Sequence, residues 1–218
     1  MTELASPSTD YSVVHGEPPE VMGRILGVGA RLWASATLFF FFAFLFAYFY
    51  LRSLNSNGLF RPKHVHPPQT FGALITVAVV AAAVLLRLGF VDHRADRRPA
   101  WRVKGAAALA VLVLAVALQI AEWATQGFGP ADGGYASVFV GWTGLQALFV
   151  LGLLYWLETT LATSIRYRGA QNERAAAEAP ADIADPLVLV RPGLEALSFY
   201  ALFLAGLAVV AWVILYLL

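Results

Sequence analysis

Residues 118–152 read LQIAEWATQGFGPADGGYASVFVGWTGLQALFVLG. An apolar run carries Leu118-Gln119-Ile120-Ala121-Glu122-Trp123, a Gly-rich turn holds Asp132-Gly133-Gly134, and a second apolar run opens at Tyr135 and continues to Gly152. Two long apolar runs separated by a short polar turn predict an antiparallel pair of helices. Inside the first run sits a carboxylate, Glu122, whose placement among apolar residues costs several kcal/mol unless it is paired, hydrogen-bonded or neutralised. Gln119 lies three residues earlier, a spacing that puts both side chains on one helix face. Two readings of Glu122 follow: a structural hydrogen bond at a helix interface, or a proton-handling or ligand-binding carboxylate.

The whole chain shares this character. Of 218 residues, 59% are hydrophobic and 13% charged, with a mean hydropathy of +0.67. So few charges cannot cover a soluble globule, and the composition predicts an all-α integral membrane bundle. The chain has no cysteine, which excludes disulfides, thiolate catalysis and cysteine-ligated metal. A formal net charge of +1 gives no reason to expect nucleic-acid binding. Lys63 and Lys104 are the only lysines among fifteen basic residues, a bias that fits a GC-rich bacterial genome.

Five apolar spans are predicted, at about 32–51, 70–90, 105–125, 134–157 and 196–218. Each is long enough to cross a hydrocarbon core of roughly 30 Å at about 1.5 Å per residue. Residues 1–27 read as a polar tail broken by Pro7, Pro18 and Pro19, without the basic start and apolar core of a signal peptide. Residues 166–192, Ala-rich and mixed in charge, read as a linker. Twelve basic residues (Arg24, Arg31, Arg87, five between spans two and three, four between spans four and five) fall on one side, against Arg52, Arg61 and Lys63 on the other. This asymmetry predicts a cytoplasmic N-terminus and an outside C-terminus in a bacterial plasma membrane.

Small residues at four-residue spacing, Ala78/Ala82, Ala106/Ala110 and Ala117/Ala121, are expected at close helix contacts. The Phe-rich run of span one reads as lipid-facing bulk, with Tyr48 and Tyr50 in an interfacial belt. No histidine lies inside a predicted span, so a membrane haem or copper centre in this chain is not expected. His64 and His66 lack an evident third metal ligand, and no phosphate loop or nucleophile motif occurs.

The 118–152 stretch also resembles subunit III of the haem-copper cytochrome c oxidases. The resemblance rests on Leu118, Gln119, Glu122 and Trp123, then Asp132, Gly133, Tyr135, Ser137 and Phe139, then Thr143, Gly144, Leu148 and Val150, in that order and spacing. Gly193-Leu194-Glu195-Ala196 resembles the start of the family's last helix. The chain departs from the family where two histidines fall on Gln146 and Phe149, and where an intramembrane glutamate falls on Thr37. The resemblance implies a non-catalytic subunit, with the five helices of the apolar spans where the family's larger members have seven. Such a subunit would carry no cofactor of its own, bind phospholipid, and pack against oxidase subunits I and II, which hold the haem and copper, with a larger respiratory supercomplex as a further possible partner. The site residues it singles out are Gln119, Glu122, Tyr135, Ser137, Gln146 and Thr37, as structural polar groups or contacts to lipid or partner; Tyr135 and Ser137 are expected at the depth of Glu122, and Gln146 deeper. Two further readings stand beside it: an accessory subunit of a nitric oxide reductase or quinol oxidase, and a small transporter using Glu122.

Overall fold

A computed structural model describes residues 19–55, 58–176 and 190–218. The predicted tail up to residue 18 and the linker residues 177–189 lie outside the described residues. Among the described residues the chain is all-α, in the order α1 (Pro19–Ser53), α2 (Gln69–Arg94), α3 (Arg98–Thr125), α4 (Gly134–Ala176) and α5 (Val190–Trp212), and α5 ends in one π-helical turn (Val213–Leu217). All five helices are long and apolar enough to cross a membrane, as in a multi-pass membrane protein.

The helices overrun the predicted spans. α1 starts at Pro19, so residues 19–27 are helical where the sequence suggests a tail, and α4 continues to Ala176, into the predicted linker. Hydropathy marks where a chain is apolar, whereas a helix continues as long as its residues are good helix formers, and Ala, Arg, Glu and Gln after Leu157 are. Prolines sit where their missing N–H costs least, at Pro19 and near the start of α3 and α5.

Helix α5 is the central element. It packs against α1, α2 and α4, while α2 and α3 form the most extensive pair. Of the most apolar stretch of α5, 56% is buried, against 22% for α1, which places α1 at the periphery.

The buried stripe of α3 is Trp101, Gly105, Ala108, Leu112, Ala115, Gln119 and Glu122, in alternating steps of four and three, the spacing of one helix face. This corrects the expectation for Ala106/Ala110 and Ala117/Ala121. Ala106, Ala110 and Ala117 are exposed and Ala121 is half-buried; only Ala78/Ala82 is buried as a pair. In an Ala-rich helix, four-residue spacing recurs on every face and carries no phase. The costly residues do: counting back from Glu122 in steps of three and four generates the stripe.

On α1 the buried residues are Ala30, Ala34, Thr37, Phe41 and Tyr48, whereas Phe39, Phe40, Phe42, Phe46 and Phe49 face outward. Tyr48 is therefore not in an interfacial belt. It is 1% exposed and packs edge-on against Phe60 and Tyr135, and its hydroxyl accepts a hydrogen bond from Arg52 at 3.4 Å. Tyr50 is exposed and stacks on Phe46.

The two ends of the bundle differ. At the basic end, a three-residue turn joins α2 to α3, and buried Asp92 is held by Arg97 at 2.8 Å and by Lys104. There too, Ser164 Oγ accepts from Trp101 Nε1 at 3.3 Å and Arg102 Nε at 3.1 Å, while its carbonyl accepts from Arg102 Nη2 at 2.6 Å, tying α4 beyond residue 157 to α3. The other end, which carries Glu122, is closed by residues 58–68 and by the turn before α4.

Candidate functional site

The Glu122 end is built from the last turns of α1, α3 and α5, the first turns of α2 and α4, and two loops. The turn between α3 and α4 needs its glycines: Gly127 has φ +69°, Gly133 has φ +133°, and a Cβ on Gly133 would lie 2.9 Å from the Leu59 carbonyl oxygen. Asp132 accepts the Gly129 N–H at 2.6 Å, and the Tyr135 N–H donates to the Phe60 carbonyl at 2.8 Å, joining the start of α4 to the 58–68 segment. α3 and α4 are thereby antiparallel neighbours, as the sequence predicts.

Within this frame Glu122 is 0% exposed. Gln119 Nε2 donates to Oε2 at 2.7 Å, and Tyr216 in the terminal π turn donates its hydroxyl to Oε1 at 2.5 Å. Both carboxyl oxygens are thus occupied, which offsets part of the cost of burial. The Gln119 contact is the one the three-residue spacing predicts. Tyr216 has no precedent in the sequence reading, being 94 positions away. Its signal is depth: spans three and five run in the same direction, so a tyrosine in the last turn of the fifth helix sits at the level of Glu122 near the end of the third.

Tyr135 is buried at the same level, but no hydrogen bond joins it to Glu122. Its hydroxyl donates to the Leu215 carbonyl, and Gln69 Nε2 donates to the Tyr216 carbonyl at 3.3 Å. These side chains from α4 and α2 satisfy two of the acceptors that the last turn of a helix leaves open. Arg61 lies over the Tyr135 ring, 4.5 Å from its centroid, a cation–π contact. Gly72 of α2 lets Tyr216 in: a Cβ there would lie 2.8 Å from Tyr216 Cδ1 and closer still to Cε1 and Cζ.

Ser137 stands apart from the cluster. It is exposed and donates to the carbonyls of Pro130 at 2.5 Å and Gly133 at 3.1 Å, fixing the start of α4. Gln146 is buried deeper in the bundle, and no hydrogen bond joins it to Glu122; it lines, with Gln119, two small cavities of about 10 and 20 Å3. Thr143, one turn nearer the end, accepts from Trp123 Nε1 at 3.0 Å and donates to the Phe139 carbonyl at 2.8 Å. Thr37 lies elsewhere, buried against α5, with its hydroxyl 3.2 Å from Tyr200 Oη and 2.8 Å from the Trp33 carbonyl.

The structure therefore gathers Gln119, Glu122 and Tyr135 around Tyr216, places Gln146 one layer below, and leaves Ser137 and Thr37 outside. Chemically, the cluster is an enclosed, satisfied carboxyl group. The larger of its cavities has room for one water molecule and falls far short of the few hundred Å3 of a small-molecule site. His64 Nε2 lies 4.0 Å from Asp132 Oδ1, and among the described residues no three metal-ligating side chains converge. No protein-family model and no curated protein matches this chain.

Proposed function

We propose that this chain is a non-catalytic, subunit III-like component of a haem-copper terminal oxidase. It lies in a bacterial plasma membrane with its N-terminus cytoplasmic and its C-terminus outside, packed against the catalytic subunit and holding phospholipid. The carrying observation is the ordered series from Leu118 through Glu122 and Tyr135 to Thr143, which runs along the facing helices α3 and α4 and the turn between them and contains the hydrogen-bonded pairs Gln119–Glu122 and Trp123–Thr143. A bundle with a peripheral α1 whose Phe39, Phe40, Phe42, Phe46 and Phe49 face outward suits a subunit that seats on a larger neighbour. Twelve basic residues on one side against three on the other support this orientation.

The transporter reading asks Glu122 to exchange protons or ions with solution. A carboxyl group that is fully enclosed and bonded at both oxygens is poorly suited to that, and the Gln119–Gln146 cavities are too small to pass a substrate. An accessory role in a nitric oxide reductase or quinol oxidase would use the same architecture and differ in the partner's haems. Deleting the chain tests the proposal. The amount of assembled oxidase in the membrane should fall while the haem spectrum of what remains keeps its shape; unchanged oxidase content and activity would contradict it.

A further inference from the structure

Of the buried amide, carboxyl and hydroxyl side chains among the described residues, Gln146 alone makes no hydrogen bond. It is 8% exposed and lies twelve residues into α4 from Gly134, about 18 Å along the helix and far inside a hydrocarbon core roughly 30 Å thick. An amide carries two donors and two acceptor lone pairs, and leaving them all bare among apolar neighbours is costly. Buried amides are therefore rarely left without a partner, and where protein supplies none, ordered water does.

A second incomplete amide stands beside it. Trp123 Nε1 donates to Thr143 Oγ1 at 3.0 Å, which fixes the register of α3 against α4. One turn further in on each helix come Gln119 and Gln146, so the two amides occupy one layer, and both line the two small cavities of about 10 and 20 Å3. Gln119 uses Nε2 on Glu122 at 2.7 Å, and its carbonyl oxygen accepts from no described residue.

The lining of the larger cavity narrows its occupant. Thr76 and Thr143 reach it with hydroxyls that donate to the carbonyls of Gly72 and Phe139, both at 2.8 Å, and each oxygen keeps a lone pair with which to accept. Trp212, on the α5 wall, has a buried Nε1–H without an acceptor. No charged side chain lines either cavity, so an ion would find no counter-charge. About 20 Å3 admits one water and nothing larger, and cavities that stay dry are apolar ones, unlike this one.

We propose that the larger cavity is a binding site for a single ordered water, which accepts from the Gln146 amide and donates to the Gln119 carbonyl oxygen and to a threonine oxygen. Three partners are what a buried water ordinarily has. The water extends the chain Tyr216–Glu122–Gln119 onto α4 and supplies a polar tie between α3 and α4 one turn below Trp123 and Thr143. This holds whether or not the chain has a haem-bearing partner, so the purified full chain in perdeuterated lipid bilayers suffices to test it.

Solid-state NMR of the chain with 15N in its glutamine side chains, Gln146 being assigned through its own backbone, reads the site through magnetisation transferred from water protons. The wild type should show transfer from water to the Gln146 side-chain amide. Gln146→Met, close to glutamine in volume, gives a second readout whose sign differs between the two cases. In a wet site it takes a partner from the water and should lower the thermal midpoint; in a dry site it removes an unpaired amide and would raise it. The transfer spectrum of the wild type stands whether or not the variant folds. No transfer from water at Gln146, or a midpoint that Gln146→Met raises or leaves unchanged, would overturn the proposal.

Discussion

At the residue scale the molecule turns on a single enclosed carboxyl group. Tyr216 and Gln119 each donate to one oxygen of Glu122, so replacements that keep or remove the acceptors should separate cleanly. Glu122→Gln retains an acceptor for Tyr216 and lets the Gln119 amide turn over to meet the new NH2, so its thermal midpoint in detergent should stay near the wild type. Glu122→Leu leaves the Tyr216 hydroxyl and the Gln119 amide unpaired and should weaken packing by about 1 to 2 kcal/mol. Tyr216→Phe removes one hydrogen bond and should cost about 1 kcal/mol. Equal midpoints for Glu122→Leu and Glu122→Gln would show that the two bonds contribute nothing. The Gln119 partner was legible because three-residue spacing is a local property of a helix. Tyr216 was not, because its pairing depends on how α5 docks, and a tyrosine near the end of an apolar span is more often read as an interfacial anchor.

At the scale of elements, the positions where helices touch are set by small residues and by polar ties. Gly72 and Gly27 make a matched pair for comparison. A methyl on Gly72 runs into the Tyr216 ring, whereas one on Gly27 enters open space. Gly72→Ala should therefore destabilise the bundle by about 1 to 3 kcal/mol through overpacking, and Gly27→Ala should be neutral or slightly stabilising, since Ala is the better helix former; denaturation in a common detergent distinguishes them. Beyond Leu157, α4 is fastened to α3 through Ser164. Ser164→Ala removes the hydroxyl that accepts from Trp101 and Arg102 and should cost about 1 kcal/mol or more, read as faster amide exchange in residues 158–165. The extension itself was hidden from hydropathy, because Glu158 and the arginines after it end the apolar run without ending the helix. The face of α3 was legible in principle from Glu122 and Gln119, and was missed by following alanines, which are too common in this helix to mark a side.

At the scale of the whole molecule, the five spans were legible because apolar runs of about 20 residues alternate with charged loops, a pattern only membrane-spanning helices satisfy. The order of packing around α5 was not, since hydropathy says nothing about which apolar face meets which. Topology has a direct check that the absence of native cysteine makes clean. Single cysteines at Ala95, in the α2–α3 turn, and at Ala131, in the α3–α4 turn, both exposed, should react with a membrane-impermeant reagent from opposite faces, Ala95→Cys from inside; reaction from the same face would refute an odd number of crossings between the two ends. What the bundle is for is read out by affinity purification of the tagged chain from its own membranes in mild detergent, followed by a reduced-minus-oxidised visible spectrum. An oxidase subunit should bring stoichiometric haem absorbance that elutes with the chain in one complex and leaves it when the partner subunits are stripped away; that is the expected result. A homogeneous chain that elutes without haem, or one that keeps haem after every partner has been removed, would contradict it.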